Sequence, residues 1–134
     1  MDFYLDDANV IERLVTEWKQ YNNLVIAYDY DNTVYDYHHK GHRFEDVIQL
    51  LRDCKAFGAH LVVFTACEDE LFPTIKSFLK ANQIPFDAIN ESPDFVPVVG
   101  NKKIYYNVLL DDRAGLSSAY NSLKAALEIM KQGA

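Results

Sequence analysis

Three short stretches of this chain are apolar along most of their length and then end in polar chemistry: "LVIAYD" at 24–29, "HLVVFTA" at 60–66 and "KIYYNVLLDD" at 103–112. A strand with one wet face alternates apolar and polar residues, whereas a strand covered on both faces has no need to. Segments with helical periodicity lie between these stretches. Apolar strands alternating with helices specify an α/β fold, a three-layer α/β/α sandwich built on a mostly parallel sheet.

The helices are read from their stripes. Val10, Ile11, Leu14, Val15 and Trp18 recur at helical spacing ahead of the first strand, with Asn9 and Glu12 placed for a capping box. "FEDVIQLLRDCKAFG" sets Phe44, Val47, Ile48, Leu51 and Cys54 or Lys55 on one face and stops at Gly58. "ELFPTIKSFLKAN" spaces Phe72, Ile75, Phe78 and Leu79 for a third helix, with Pro73 tolerable only in its first turn. "IPFDAIN" reads as a short strand and "SPDFVPVVG" as a loop. The tail, with Tyr120, Leu123, Leu127 and Met130 on one stripe, is a last helix. At 134 residues these elements fit one domain, 1–134, in which 1–22 is an N-terminal helical extension.

Parallel sheets bind ligands at the carboxyl ends of their strands. Asp29 and Asp31, Thr65, and the pair Asp111 and Asp112 all fall at such ends, and Asp36 follows closely. Crowded carboxylates raise each other's pKa unless a cation neutralises them, and oxygen donors with no His or Cys among them favour Mg²⁺. Each residue alone has a plainer account. Strand-end aspartates cap helices and turns, a threonine is an ordinary β residue, and Lys102 with Lys103 is a solvated pair.

Their order carries the argument further. "VIAYDYDNTV" resembles the first motif of the haloacid dehalogenase (HAD) superfamily, an apolar strand followed by Asp-x-Asp-x-Thr-Val. "VVFTA" resembles the second motif, and "GNKK" before "IYYNVLLDDR" resembles the third and fourth, a lysine and then a strand ending in an acidic pair. The likeness spans residues 24–113 in the correct order.

The resemblance implies a Rossmann-like fold and a magnesium-dependent phosphohydrolase acting through an aspartyl-phosphate. Asp29 would be nucleophile and metal ligand; Asp31 would give the metal its backbone carbonyl and use its carboxyl for proton transfer. Thr65 and Lys103, preferred over Lys102 by counting back from the acidic pair, would hold the phosphoryl oxygens. Asp112 would ligate the metal with Asp111 in support. Because 31 residues separate Thr33 from Thr65 and 37 separate Thr65 from Lys103, neither gap holds a cap domain, so the chain resembles the capless bacterial and phage-type branch. It departs from that branch in the helix before the first strand and in having only helix after Arg113.

Composition narrows the partners. With 49% hydrophobic and 25% charged residues the chain is of ordinary globular make-up, and its formal net charge of −7 opposes a polynucleotide backbone. No apolar run approaches the roughly 18–20 residues of a membrane span, and "MDFYLDD" lacks the basic start of a signal peptide, so the expected compartment is the cytoplasm. Cys54 and Cys67 show neither disulfide nor zinc spacing. His38, His39 and His42, with Lys40 and Arg43, read as an exposed basic loop near the first motif rather than a zinc set. The expected substrate is a small phosphorylated metabolite, nucleotides included, with Tyr30, Tyr35 and Tyr37 as stacking surfaces and a homo-oligomer left open. Two alternatives stand beside it: a phosphatase of nucleic-acid ends, and a non-enzymatic phospho-accepting module such as a response-regulator receiver. A receiver carries its acidic pair on the first strand and its lysine on the last, whereas here a second acidic pair follows the lysine.

Overall fold

The first apolar run becomes the central strand of a sheet. The computed structural model describes residues 1–96 and 104–133. In chain order they form helix α1 (Asp7–Tyr21), strand β1 (Val25–Asp29), α2 (Glu45–Ala56), β2 (His60–Phe64), α3 (Phe72–Ala81), β3 (Ala88–Ile89), β4 (Val108–Leu110) and α4 (Leu116–Gln132). The four strands make one sheet in the order β3-β2-β1-β4, every pair parallel. The α/β class and Rossmann-like layering expected from the apolar runs are what the chain adopts.

Burial on both faces accounts for the missing alternation. Leu24, Ile26 and Tyr28, beside Leu61 and Val63, share one core with Leu14 and Trp18 of α1, Leu51 and Cys54 of α2, Leu79 of α3, and Leu123 and Leu127 of α4. Val25, Ala27 and Val62 point the other way and are buried too. On that side the connection between β3 and β4 sets Phe95 edge-on to His60 at 5.3 Å and Tyr106 edge-on to Phe64 at 5.7 Å. Each fully buried Leu, Ile or Val contributes about 1.5–3 kcal/mol relative to exposure, so both faces weigh in holding β1 central.

Local signals set most boundaries. The α2 helix ends in a Schellman motif: Ala59 N–H donates to Cys54 O and Gly58 N–H to Lys55 O, both at 3.0 Å, with Gly58 at φ +94°, where a side chain is unfavourable. Pro73 lies in the first turn of α3, as its missing N–H requires. The start of α1 differs from the expected capping box. Asp6 is the N-cap, accepting Ala8 N–H at 3.0 Å, and the Asn9 amide instead donates to Phe3 O at 2.8 Å. An aspartate three residues earlier, followed by acidic Asp7 in the first turn, suits the helix dipole better than Asn9 does.

Strand β4 is also shorter than the run that encodes it. Asn107 meets the start of β1 partly through its side chain: Oδ1 accepts Val25 N–H at 2.7 Å, while Nδ2 donates to Glu17 at 3.0 Å and to the Tyr105 hydroxyl at 3.1 Å. Helix α1, the addition ahead of the first strand, packs against α4, which follows the last strand.

Candidate active site and metal centre

Strand order decides where the acidic residues meet. The chain leaves β1 for β2 on one side and returns to β4 on the other, so the switch point lies between β1 and β4, where such sheets open a crevice. Tyr28 pairs with Leu110, so the next residues, Asp29 and Asp111, emerge side by side from strands about 4.8 Å apart. Asp29 pairs with Phe64 on the other flank, which puts Thr65 one step beyond at the same edge.

One carboxylate oxygen from each of Asp29, Asp111 and Asp112 lies within 4.8 Å of the others. Two full charges at that separation repel by on the order of 3 kcal/mol at an effective dielectric of about 20. Burial, then the Asp111 charge, then the hydrogen bond and charge of Asp112, and last Asp31, push Asp29 up to about 7. Asp31 is raised by burial and by Asp112. Among the described residues no lysine or arginine lies within salt-bridge distance of these four. Three convergent carboxylates with no counter-charge among the described residues make a set of donors suited to a hard cation.

No protein-family model and no curated protein matches the chain. Its structure is similar to that of a conserved protein coded by locus from Bacteroides thetaiotaomicron, at 21% identity and a TM-score of 0.60, over 84% of this chain and 93% of that one. At that identity the likeness speaks to the fold.

The remaining expected residues divide. The Asp31 carboxylate stands outside the convergent trio. Both members of the acidic pair reach the cluster, and neither caps α4, whose N-cap is Gly115. Asp111 Oδ1 instead accepts Arg113 N–H at 2.8 Å. Lys103, and Lys102 beside it, lie outside the described residues. Asp36 takes no part. Burial pushes its carboxyl up, but the backbone N–H groups of Gly41, at 2.7 Å, and of Lys40 and His42 outweigh that and hold it below its usual value. It thereby ties down the loop that exposes His38, His39 and His42, and no histidine joins a metal-binding group among the described residues.

Two of the three tyrosines are taken up in packing. Tyr30 is only 5% exposed and stacks on Tyr35 at 5.0 Å, and both rings meet Phe78 edge-on. Tyr37 alone of the three stays exposed. Tyr30 belongs to the core because its place beyond β1 continues the face of Leu24, Ile26 and Tyr28.

Two further residues shape the site. Asn32, at φ +59°, turns the chain between Asp31 and Thr33, its N–H donating to Tyr35 O at 2.7 Å. Thr33, fully buried, then accepts Asp112 N–H on Oγ1 at 3.2 Å and lies 3.5 Å from Asp112 Oδ1. The first motif thus holds the last one directly. Asn90, at the end of β3, faces Thr65: Thr65 N–H donates to Asn90 Oδ1 at 3.0 Å and Asn90 Nδ2 donates to Thr65 O at 2.8 Å. The Thr33 contact had a signal in the spacing of the first motif; nothing in the sequence marks Asn90.

Proposed function

We propose that this protein is a magnesium-dependent phosphomonoesterase of the HAD type, acting through an aspartyl-phosphate on small phosphorylated metabolites. The observation that carries this reading is the convergence of Asp29, Asp111 and Asp112 with Asp29 pushed up to about 7, an arrangement that a divalent cation would relieve. The donors fit Mg²⁺: oxygen only, with few protein ligands, leaving room for water and a phosphate oxygen. Mg²⁺ held by Asp29, Asp111 and Asp112, with the Asp31 backbone carbonyl, would neutralise the cluster and draw charge from the phosphoryl group.

The chain's own residues account for the rest. Asp29, ionised, attacks phosphorus with a carboxylate oxygen as the ester bond to the leaving oxygen breaks. Asp31 gives that leaving oxygen its proton, and its raised pKa favours holding one. With Asp31 then ionised, it takes a proton from the water that attacks the phosphorus, releasing phosphate and restoring Asp29. Thr65 and a lysine, Lys103 by the resemblance, hold the equatorial oxygens as charge spreads over them.

An open site follows from the first gap, where only the loop 35–44 lies between the first motif and α2. Tyr37 is the one exposed ring of the three tyrosines, which weakens stacking as a basis for nucleotide preference. Small phosphomonoesters as a class are therefore the proposed substrates. Phosphate release from an aryl phosphate, in Mg²⁺ and in EDTA, tests the reading. Release that needs Mg²⁺, with phospho-enzyme trapped by rapid quench, is expected; no release in Mg²⁺ overturns it.

A further inference from the structure

We propose that Asn90 is a positioning residue that directs the Thr65 hydroxyl as a hydrogen-bond donor toward the phosphoryl group; this rests on the phosphatase reading above. The two residues are 25 positions apart and sit at the ends of neighbouring strands. A primary amide offers one acceptor and one donor side by side, the same pattern as a strand neighbour's backbone, and Asn90 uses both on Thr65. It thereby continues the β2–β3 ladder one rung past the last backbone bond, Asn90 N–H to Val63 O at 2.9 Å.

The consequence falls on the hydroxyl. Both backbone groups of Thr65 are engaged by Asn90, and its Oγ1 accepts Cys67 N–H at 3.1 Å. A hydroxyl that already accepts has its proton free to donate elsewhere. With the backbone locked and one of the two hydroxyl lone pairs occupied, the Thr65 O–H has a set direction in which to donate, the polarity a phosphoryl oxygen needs. Without the clamp, the turn from Thr65 to Cys67 would be held at the β2 side alone, and the hydroxyl would lose its fixed direction.

The backbone at Asn90 supplies a clean test. It lies at φ +53°, in the left-handed region that glycine occupies readily, so Asn90→Gly removes the amide without straining the chain. In the wild-type background Asn90→Gly is expected to lower kcat/KM on an aryl phosphate by about 10- to 100-fold, as misplacement of a reacting or binding group does. Inhibition by orthovanadate should weaken in parallel, with Mg²⁺ affinity unchanged. In a Thr65→Ala background the same change should cost less than about twofold, since the residues act as one unit. Asn90→Asp keeps an acceptor for Thr65 N–H but sets a carboxylate oxygen against Thr65 O, so it should lose at least as much as the glycine variant and stands in if that variant folds poorly. An equal loss in both backgrounds, or a loss of Mg²⁺ affinity, overturns the assignment while leaving the phosphatase reading intact. A wild-type protein without turnover sinks that reading and this one with it.

Discussion

The two ends of the sheet each carry acidic side chains, and they treat them in opposite ways. At the end where β2 and β3 begin, Asp87 accepts Lys55 Nζ on both oxygens, at 2.7 and 2.8 Å, and Leu61 N–H at 2.8 Å. Burial pushes Asp87 up, but the lysine and the backbone N–H outweigh it and hold the carboxyl below its usual value. At the other end, Asp29, Asp111 and Asp112 crowd together and Asp29 rises to about 7. Desolvation acts in the same direction at both ends. Local partners decide the sign. Asp87 has its counter-charge on a neighbouring element of the chain, whereas among the described residues none is paired with the cluster at the switch point.

The largest expected break in this contrast is chemical. Asp29→Asn should lower turnover of an aryl phosphate at least about a thousandfold, because an amide cannot attack phosphorus and one anionic ligand is lost. Steady-state rates measure it, and residual activity within tenfold of wild type would remove Asp29 from the role of nucleophile. Next comes the metal. Saturating Mg²⁺, at a hundred times its dissociation constant, should stabilise the fold by about 2.7 kcal/mol, seen as a rise of several degrees in Tm. Asp112→Ala and Asp111→Ala should each reduce that rise, Asp112→Ala more; Lys55→Met should leave it intact.

A pH series separates the two ends by sign. Asp29 has a folded pKa raised from 3.8 to about 7, so its contribution to stability is fully present below 3.8 and is lost as pH climbs toward 7. In EDTA, Tm should therefore fall across that window, and either Mg²⁺ or Asp29→Asn should flatten the slope. Asp87 works the other way: its folded pKa is depressed, so its contribution is present above 3.8 and disappears as pH falls through the folded value. A flat EDTA profile between pH 4 and 7 would show that the cluster carries no uncompensated charge. The smallest effect is Lys55→Met, which should cost about 0.5–1 kcal/mol by chemical denaturation, because this pair is partly exposed and screened. Turnover should not change.

Much of the fold was written in one dimension. The apolar runs are covered on both faces because β-strand side chains alternate faces, so "LVIAYD" lacking alternation already implies two buried sides. Helix stripes, Gly58 and Pro73 likewise act over a few residues, where local spacing is the cause. The short span of β4 and the Asp6 cap were less legible, since each reflects a competition between neighbours, Asn107 with the backbone ladder and Asp6 with Asn9.

The site follows the same division. Residue order alone sets Asp29, Asp31, Thr65, Asp111 and Asp112 at the ends of apolar runs. It also determined that Thr33 follows Asp31 closely enough to fold back toward them. The return of β4 beside β1 is a matter of strand order in space, and it makes Asp29 and Asp111 neighbours and turns separate carboxylates into a cluster that raises Asp29. The tertiary structure decided too that Tyr30 faces the core, that Asp36 serves its own loop, and that Asn90 reaches Thr65. The reason is common to all of these: electrostatic repulsion and hydrogen bonding act through a few ångströms of space, and strand order and register alone set which distant residues share them.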